Sequence, residues 1–157
     1  MPYRLVVVED EAEIADLLRV VLTCPQVELY AAANGREGLA LIEDIGPDLA
    51  ILDVMLPGEW DGWDVFDALR ASLRFRDMPV IILTVLRQQA ERHPLFRDNM
   101  LNQYLTKPFD TMALRGHVER MLGQPGLWRA PSRPLRDVFG LLSEAAEALD
   151  LDPPDDD

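Results

Sequence analysis

Four short apolar segments in this chain each end on, or directly before, a polar side chain that can take part in chemistry. Short runs rich in Val, Ile and Leu are typical of strands that are buried on both faces of a parallel sheet. The carboxyl ends of such strands lie at one edge of the sheet, where ligands bind. The segments and their polar residues are Arg4–Val8 with Glu9 and Asp10, Leu49–Leu52 with Asp53, Pro79–Thr84, and Gln103–Thr106 with Lys107.

Segments with helical spacing of apolar residues alternate with these strands, and Val27–Ala33 adds a fifth strand. Asn34 is expected to cap the second helix, and Gly46-Pro47 to end it. The polar stretch Arg87–Met100 is expected to be helical although Pro94 interrupts it. Five strands alternating with five helices predict an α/β fold with a doubly wound parallel sheet. The other predicted helices contain Ile14–Leu22, Leu39–Ile45, Val65–Leu69 and Met112–Leu122.

The topology places Glu9, Asp10, Asp53, Thr84 and Lys107 in one crevice, although almost a hundred residues separate the first from the last. Carboxylates crowded together repel each other unless a cation compensates them. Oxygen ligands without sulfur select a hard divalent ion, magnesium or manganese. With the ion bound, an ionised Asp53 could attack phosphorus, while the Thr84 hydroxyl and the Lys107 ammonium each contact a phosphoryl oxygen. We therefore predict a phosphoryl-accepting site.

Each of these residues also has an ordinary structural explanation. Glu9 and Asp10 could form a solvated acidic turn at the start of a helix, where acids suit the helix dipole. Asp53 could cap a turn, Thr84 could be a plain strand residue, and Lys107 could lie in a surface turn. Their joint occurrence at successive strand ends favours the site.

Composition excludes several classes of protein. Fourteen of the 15 basic residues are arginine and only Lys107 is lysine, which suggests that a compact ammonium is needed there. Cys24 is the only cysteine, so no internal disulfide can form. The chain shows no apolar run of the ~20 residues that cross a membrane and no signal peptide, so we expect a cytoplasmic protein. A formal charge of −13 argues against direct nucleic-acid binding.

Residues 3–122 resemble the receiver domain of two-component response regulators. In that family the sheet order is 2-1-3-4-5, the flavodoxin-like order. The resemblance is carried by four motifs, which are Val7-Val8-Glu9-Asp10, Ile51-Leu52-Asp53-Val54-Met55-Leu56-Pro57-Gly58, Ile82-Leu83-Thr84, and Tyr104-Leu105-Thr106-Lys107-Pro108-Phe109.

The resemblance implies a role for each matching residue. Asp53 would be the phosphoacceptor, with Thr84 and Lys107 contacting the phosphoryl group. Tyr104 would be the switch aromatic that turns inward when Thr84 moves to the phosphate, and the Lys107-Pro108 bond would be cis. Side chains of Glu9, Asp10 and Asp53 and the backbone carbonyl of Met55 would bind magnesium.

The chain departs from the family pattern at several positions. An extra residue lengthens the loop before Asp61-Gly62, and Trp60 lies in this loop. Val85 replaces a small residue after Thr84, which would narrow access to the phosphoryl group. Met100-Leu101 replaces a Gly-Ala pair, so the fourth helix and the signalling face are expected to differ. His93 and His117 are interpreted as surface residues rather than phosphodonors.

Beyond residue 122 the composition changes. Residues 123–157 are expected to hold a linker, a short amphipathic helix over Pro134–Leu151, and a disordered acidic tail. Because an isolated helix of this length is marginal in water, it should pack on the receiver domain of residues 1–122, with Trp128 as an anchor, or on a partner or second copy.

The sequence therefore predicts a stand-alone response regulator that accepts a phosphoryl group on Asp53 from a histidine kinase or phosphotransfer protein and signals through protein contacts, homodimer contacts included. One alternative is a pseudo-receiver that binds partners without phosphorylation. A second, a phosphatase of the haloacid dehalogenase type, needs an aspartate two residues after the nucleophile, where this chain has Met55. A transcription factor needs a basic reading helix, and none is present.

Overall fold

The computed structural model describes residues 1–85, 93, 94, 96 and 101–129. Its five strands form one parallel sheet of order β2-β1-β3-β4-β5, so the predicted doubly wound, flavodoxin-like fold is confirmed. The elements are β1 (Tyr3–Val8), α1 (Ala12–Leu22), β2 (Val27–Ala32), α2 (Gly35–Ile45), β3 (Leu49–Asp53), α3 (Gly62–Ala71), β4 (Val80–Thr84), β5 (Asn102–Thr106) and α4 (Thr111–Leu122).

Two parts of the sequence prediction lie outside the described residues. These are the helix expected over Arg87–Met100, and the C-terminal helix with its acidic tail. The helix α4 is accordingly the fifth helix of the sequence prediction. No helix in the described ranges is long and apolar enough to cross a membrane.

Local signals set the limits of the helices. The Asn34 side chain accepts a hydrogen bond from the Glu37 amide at 2.9 Å and begins α2, as predicted. Gly46 ends α2 in the left-handed conformation, with φ of 60°, which costs glycine little. At the start of α3, Asp61 and Asp64 cap each other's backbone amides reciprocally, at 2.9 Å in both directions.

The sheet is covered on both faces. Helices α2 and α3 pack on one face and contribute Ile42, Val65, Phe66 and Leu69 to its core. Helices α1 and α4 pack on the other face through Leu18, Leu22, Leu114 and Val118. Since β1, β3 and β4 are buried on both sides, the polar residues at their ends are held in fixed positions by well-packed strands.

The chain folds back on the domain after α4. The indole nitrogen of Trp128 donates a hydrogen bond to the Leu22 carbonyl at 3.0 Å, and the guanidinium of Arg115 lies 5.6 Å from the centre of the Trp128 ring. Leu127 beside it is buried. Trp128 therefore packs on the receiver domain, and the C-terminal helix that it was expected to anchor lies outside the described residues.

Candidate functional site

The strand ends bring the polar residues of the sequence prediction to one edge of the sheet. Glu9 directly follows β1, Asp53 ends β3, and Thr84 ends β4. The strand register pairs Asp53 with Leu83, next to Thr84. All three side chains are buried, with only 1–4% of each residue exposed. Such burial of polar residues is uncommon and calls for partners.

Glu9, Asp10 and Asp53 form a carboxylate cluster. One oxygen from each lies within 4.8 Å of the others, and Asp10 is the exposed member. Three oxygen donors at this separation, without sulfur or imidazole, suit a hard divalent ion that keeps part of its water shell. The residues present therefore fit the magnesium ion that the sequence implies.

Lys107 joins two of these carboxylates. Its Nζ lies 3.0 Å from Glu9 Oε2 and 3.1 Å from Asp53 Oδ2. Burial alone would lower the pKa of Lys107, but the hydrogen bonds to the two carboxylates outweigh burial and raise the pKa. The Lys107 amide donates to the Thr84 carbonyl at 2.8 Å, and the Lys107-Pro108 bond is cis. The only lysine of the chain therefore enters the site charged.

Among the carboxyl groups of the described residues, Glu9 has the most disturbed protonation. Burial raises its pKa from 4.5 to about 7, and the neighbouring Asp53 carboxylate raises it as well. The hydrogen bonds from Lys107 and from the Glu11 amide oppose this shift without cancelling it. Near neutral pH, the Glu9 carboxyl group is therefore partly protonated unless a further cation is bound.

A cavity of about 270 Å³ opens over Asp53 and is lined by Asp10, Glu11, Asp53, Met55, Val85 and Lys107. One Asp53 oxygen, Oδ1, accepts a hydrogen bond from the Met55 amide at 3.2 Å, and the other, Oδ2, faces Lys107. Met55 and Val85 are 68% and 54% exposed and form an apolar part of the wall. The cavity is large enough for a phosphoryl group and borders the predicted acceptor directly.

Gly62 positions the acceptor strand, a role that the sequence reasoning missed. A Cβ atom at this position would overlap the Asp53 carbonyl oxygen and lie 2.8 Å from the Val54 Cα. The Gly62 amide also donates to the Val54 carbonyl at 3.0 Å. Its position directly after the cap residue Asp61 was the available sequence signal, because glycine permits such close backbone approach.

The lengthened loop packs against α2 and does not line the cavity over Asp53. The Trp60 backbone contacts Gly35 so closely that a Cβ there would lie 2.7 Å from the Trp60 carbonyl oxygen. Arg36 and Glu59 form an exposed ion pair at 3.0 Å across the same contact. A groove of about 460 Å³ lies between the loop and the start of α2.

The expectation that His93 is a surface residue is wrong. Its side chain is only 12% exposed, and its ring stacks on Trp63 with centroids 4.5 Å apart. His93 Nε2 lies 2.9 Å from Asp67 Oδ1. The apolar partners come from α3, about thirty residues earlier, so spacing around His93 could not reveal them. His117 contacts Arg120 through its ring, at 3.1 Å.

The predicted switch residue, Tyr104, is half-buried in β5. Its ring packs against the core on the α3 side of the sheet, with the ring centroid of Phe96 6.0 Å away. Tyr104 therefore lies two residues before Thr106, the β5 residue that pairs with Thr84 of β4.

Together, the sheet order and the polar groups at its carboxyl edge define a doubly wound α/β domain with a cluster of three carboxylates and one lysine. Residues 5–119 match the family model described as the response regulator receiver domain. The chain belongs to this family, whose members are signalling domains of two-component systems.

Individual relatives agree with this assignment. The chain is 36% identical over 119 residues to the DNA-binding dual master transcriptional regulator RpaA of Synechocystis sp., covering 76% of this chain and 48% of that protein. A structure described as a response regulator from Chloroflexus aurantiacus matches with a TM-score of 0.70 and 30% identity, over 79% of this chain and all of the other.

A third relative is the signal receiver domain of a signal transduction histidine kinase from Syntrophus aciditrophicus. It matches with a TM-score of 0.68 and 30% identity, over 84% of this chain and 97% of that one. The chain spans about half the length of the curated relative RpaA. The shared part is thus the receiver domain.

Proposed function

We propose that this receiver accepts a phosphoryl group on Asp53, with magnesium, from a histidine kinase or phosphotransfer protein, and signals through protein contacts. The observation that carries the proposal is the position of Asp53: its carboxylate lies within a three-carboxylate cluster, 3.1 Å from a lysine ammonium, and faces a cavity. Transfer and later hydrolysis are expected to be catalysed by the site itself, because Lys107 and the carboxylate cluster lie directly at the acceptor.

In the proposed reaction an Asp53 carboxylate oxygen attacks the phosphorus of a phosphohistidine. The new oxygen–phosphorus bond forms as the nitrogen–phosphorus bond breaks, and the imidazole leaves with the electron pair. Lys107 is placed to neutralise negative charge that moves onto the phosphoryl oxygens, since its Nζ already contacts Asp53 Oδ2. Thr84, buried at the adjacent strand end, would donate its hydroxyl to a second oxygen.

Magnesium belongs to this proposal because the donor set fits it. Side chains of Glu9, Asp10 and Asp53, together with the Met55 backbone carbonyl, would hold the ion. When bound, magnesium offsets the repulsion among carboxylates and phosphoryl oxygens. Glu9 would have to lose its proton to act as a ligand, since its pKa is about 7 without the ion.

The proposed output is a contact with another protein. Withdrawal of Thr84 toward the phosphate would shift an existing equilibrium of Tyr104 toward its inward position. A net charge of −13 opposes direct DNA contact, although the relative RpaA is named as DNA-binding. A location in the cytoplasm remains part of our proposal.

A pseudo-receiver that works without phosphorylation is the second candidate, and the exposed Val85 at the cavity wall is the observation that favours it. A branched side chain there narrows the approach to Asp53. The intact Asp53, Thr84 and Lys107 favour the phosphorylated switch instead.

Titration with beryllium fluoride and magnesium separates the two candidates. Tryptophan fluorescence is a suitable signal because Trp60 lies in the loop that follows the acceptor strand. We expect a saturable change in the wild type that is absent in Asp53→Asn. Identical responses of the two proteins would remove the phosphorylation proposal and leave the pseudo-receiver.

A further inference from the structure

The first turn of α3 is seated directly on the end of the acceptor strand. Gly62 approaches the Asp53–Val54 backbone so closely that no side chain fits between them, and its amide donates to the Val54 carbonyl at 3.0 Å. A displacement of the Asp53 backbone would therefore press on the start of α3, because the two backbones are already in close contact.

Trp63, the next residue along α3, contacts the connection between β4 and β5. Its ring stacks on His93 with centroids 4.5 Å apart and rings inclined by 16°, and it meets the Phe96 ring edge-on at 5.9 Å. Phe66, one turn further along α3, lies 5.3 Å from His93 and 5.9 Å from Phe96 between ring centroids. His93 and Phe96 of the connection thus both pack against the same face of α3.

The contacts continue to Tyr104. The Phe96 ring lies 6.0 Å from the Tyr104 ring, and Phe96 is buried with 7% of its surface exposed. Trp63, Phe66, His93, Phe96 and Tyr104 therefore form one continuous set of packed rings, which we call the aromatic cluster. It begins one residue from the contact with Asp53 and ends at the predicted switch residue.

A second attachment holds the other end of the same connection to α3. The Arg70 guanidinium donates to the Leu101 carbonyl at 3.1 Å and to Asn102 Oδ1 through Nε at 3.2 Å. The same guanidinium lies 5.0 Å from the centre of the Phe66 ring. Since α3 contacts the connection at His93 and Phe96 and also at its β5 end, a shift of α3 would reach the start of β5 as well.

We propose that the aromatic cluster is a coupling device that links the phosphorylation site to Tyr104 through α3, in addition to the route through Thr84. His93 is its central positioning residue, because it stacks on Trp63 and its Nε2 lies 2.9 Å from Asp67 Oδ1. The proposal rests on the proposed function, since it assumes that the state of Asp53 biases Tyr104. Coupling requires an element with two arrangements that both sites influence, and the proposal assigns this role to α3 with the cluster.

The test uses the full chain labelled with fluorotyrosine and observed by fluorine NMR. Tyr104 is assigned with Tyr104→Phe, and Tyr3 and Tyr30 report on the integrity of the fold. Magnesium and saturating beryllium fluoride are added, so that differences between variants in their affinity for beryllium fluoride do not affect the comparison. The variants are His93→Ala, which removes the stack, and His93→Phe, which keeps a ring on Trp63. His117→Ala is the matched control on α4.

We expect the Tyr104 resonance of His93→Ala to show less than half of the wild-type shift, while His93→Phe and His117→Ala keep most of it. A full shift in His93→Ala, or an equal loss in His117→Ala, would overturn the coupling. If His93→Ala does not fold, His93→Gln replaces it with the same expectation. Absence of any shift in the wild type would refute the proposed function instead.

Discussion

Replacing Glu9 by glutamine should remove a pH dependence of stability that the folded site creates. The carboxyl group of Glu9 has a pKa of about 7 in the folded chain and an ordinary value of 4.5. Between these pH values the folded protein binds more protons than the unfolded chain, so the free energy of unfolding falls as pH rises. The contribution is fully present below pH 4.5 and is lost above about pH 7.

The size of this effect follows from the two pKa values. Each pH unit between them corresponds to about 1.4 kcal/mol, which gives roughly 3 kcal/mol for the interval. Glu9→Gln is uncharged at every pH and resembles the protonated acid, so it should match the wild type near pH 4.5. Near pH 8 the variant should be the more stable protein by about 3 kcal/mol.

Urea unfolding between pH 4.5 and 8, with a chelator present to exclude divalent ions, measures this difference. Glu13→Gln, at an exposed position of α1, is the matched control for loss of one carboxylate and should stay within ~0.5 kcal/mol of the wild type. A stability difference between Glu9→Gln and the wild type that does not change across this range would refute the reasoning.

Three further predictions concern the same site. Lys107→Arg should slow phosphorylation by acetyl phosphate about 100-fold or more, the loss typical of removing one transition-state donor, because a planar guanidinium cannot replace the ammonium between two carboxylates; an unchanged rate would contradict this role. Val85→Ala should shorten the lifetime of the phosphorylated protein severalfold, as followed by phosphate release, because it widens the cavity for water; a longer lifetime would contradict it. In urea unfolding, Gly62→Ala should lower the free energy of unfolding by about 1–3 kcal/mol, because the new Cβ would overlap the Asp53 backbone. Gly116→Ala in α4, whose Cβ would meet nothing nearer than 3.8 Å, should raise the free energy of unfolding by about 0.5–1 kcal/mol. Equal effects of the two substitutions would show that the contact at Gly62 does not matter.

The strands and the convergence of their ends were predictable because they depend on local pattern. Runs such as Leu49–Leu52 are short, apolar and bounded by turns, and a parallel sheet leaves one edge for the residues that follow. The cap at Asn34 and the stop at Gly46 likewise depend only on near neighbours. Three strands are one residue longer than predicted and the other two are one residue shorter; Asp53 is among the added residues, so the acceptor is part of β3 itself.

The contacts that the sequence did not reveal connect residues far apart in the chain. Gly62 against Asp53 and His93 against Trp63 are both set by how α3 packs, and no spacing within either segment encodes that distance. The shifted pKa of Glu9 was likewise visible only from its burial and its position beside Asp53 and Lys107. The roles of the site residues in catalysis stay predictions.

The most direct test of the central claim is intact-mass and peptide mass spectrometry of the chain after incubation with acetyl phosphate and magnesium. We predict one added phosphoryl group on the wild type, located at Asp53, and none when the ion is chelated. Asp53→Asn should remain unmodified, with Asp61→Asn as a control that still accepts the group. Equal modification of the wild type and Asp53→Asn, or no modification of either, would contradict the account.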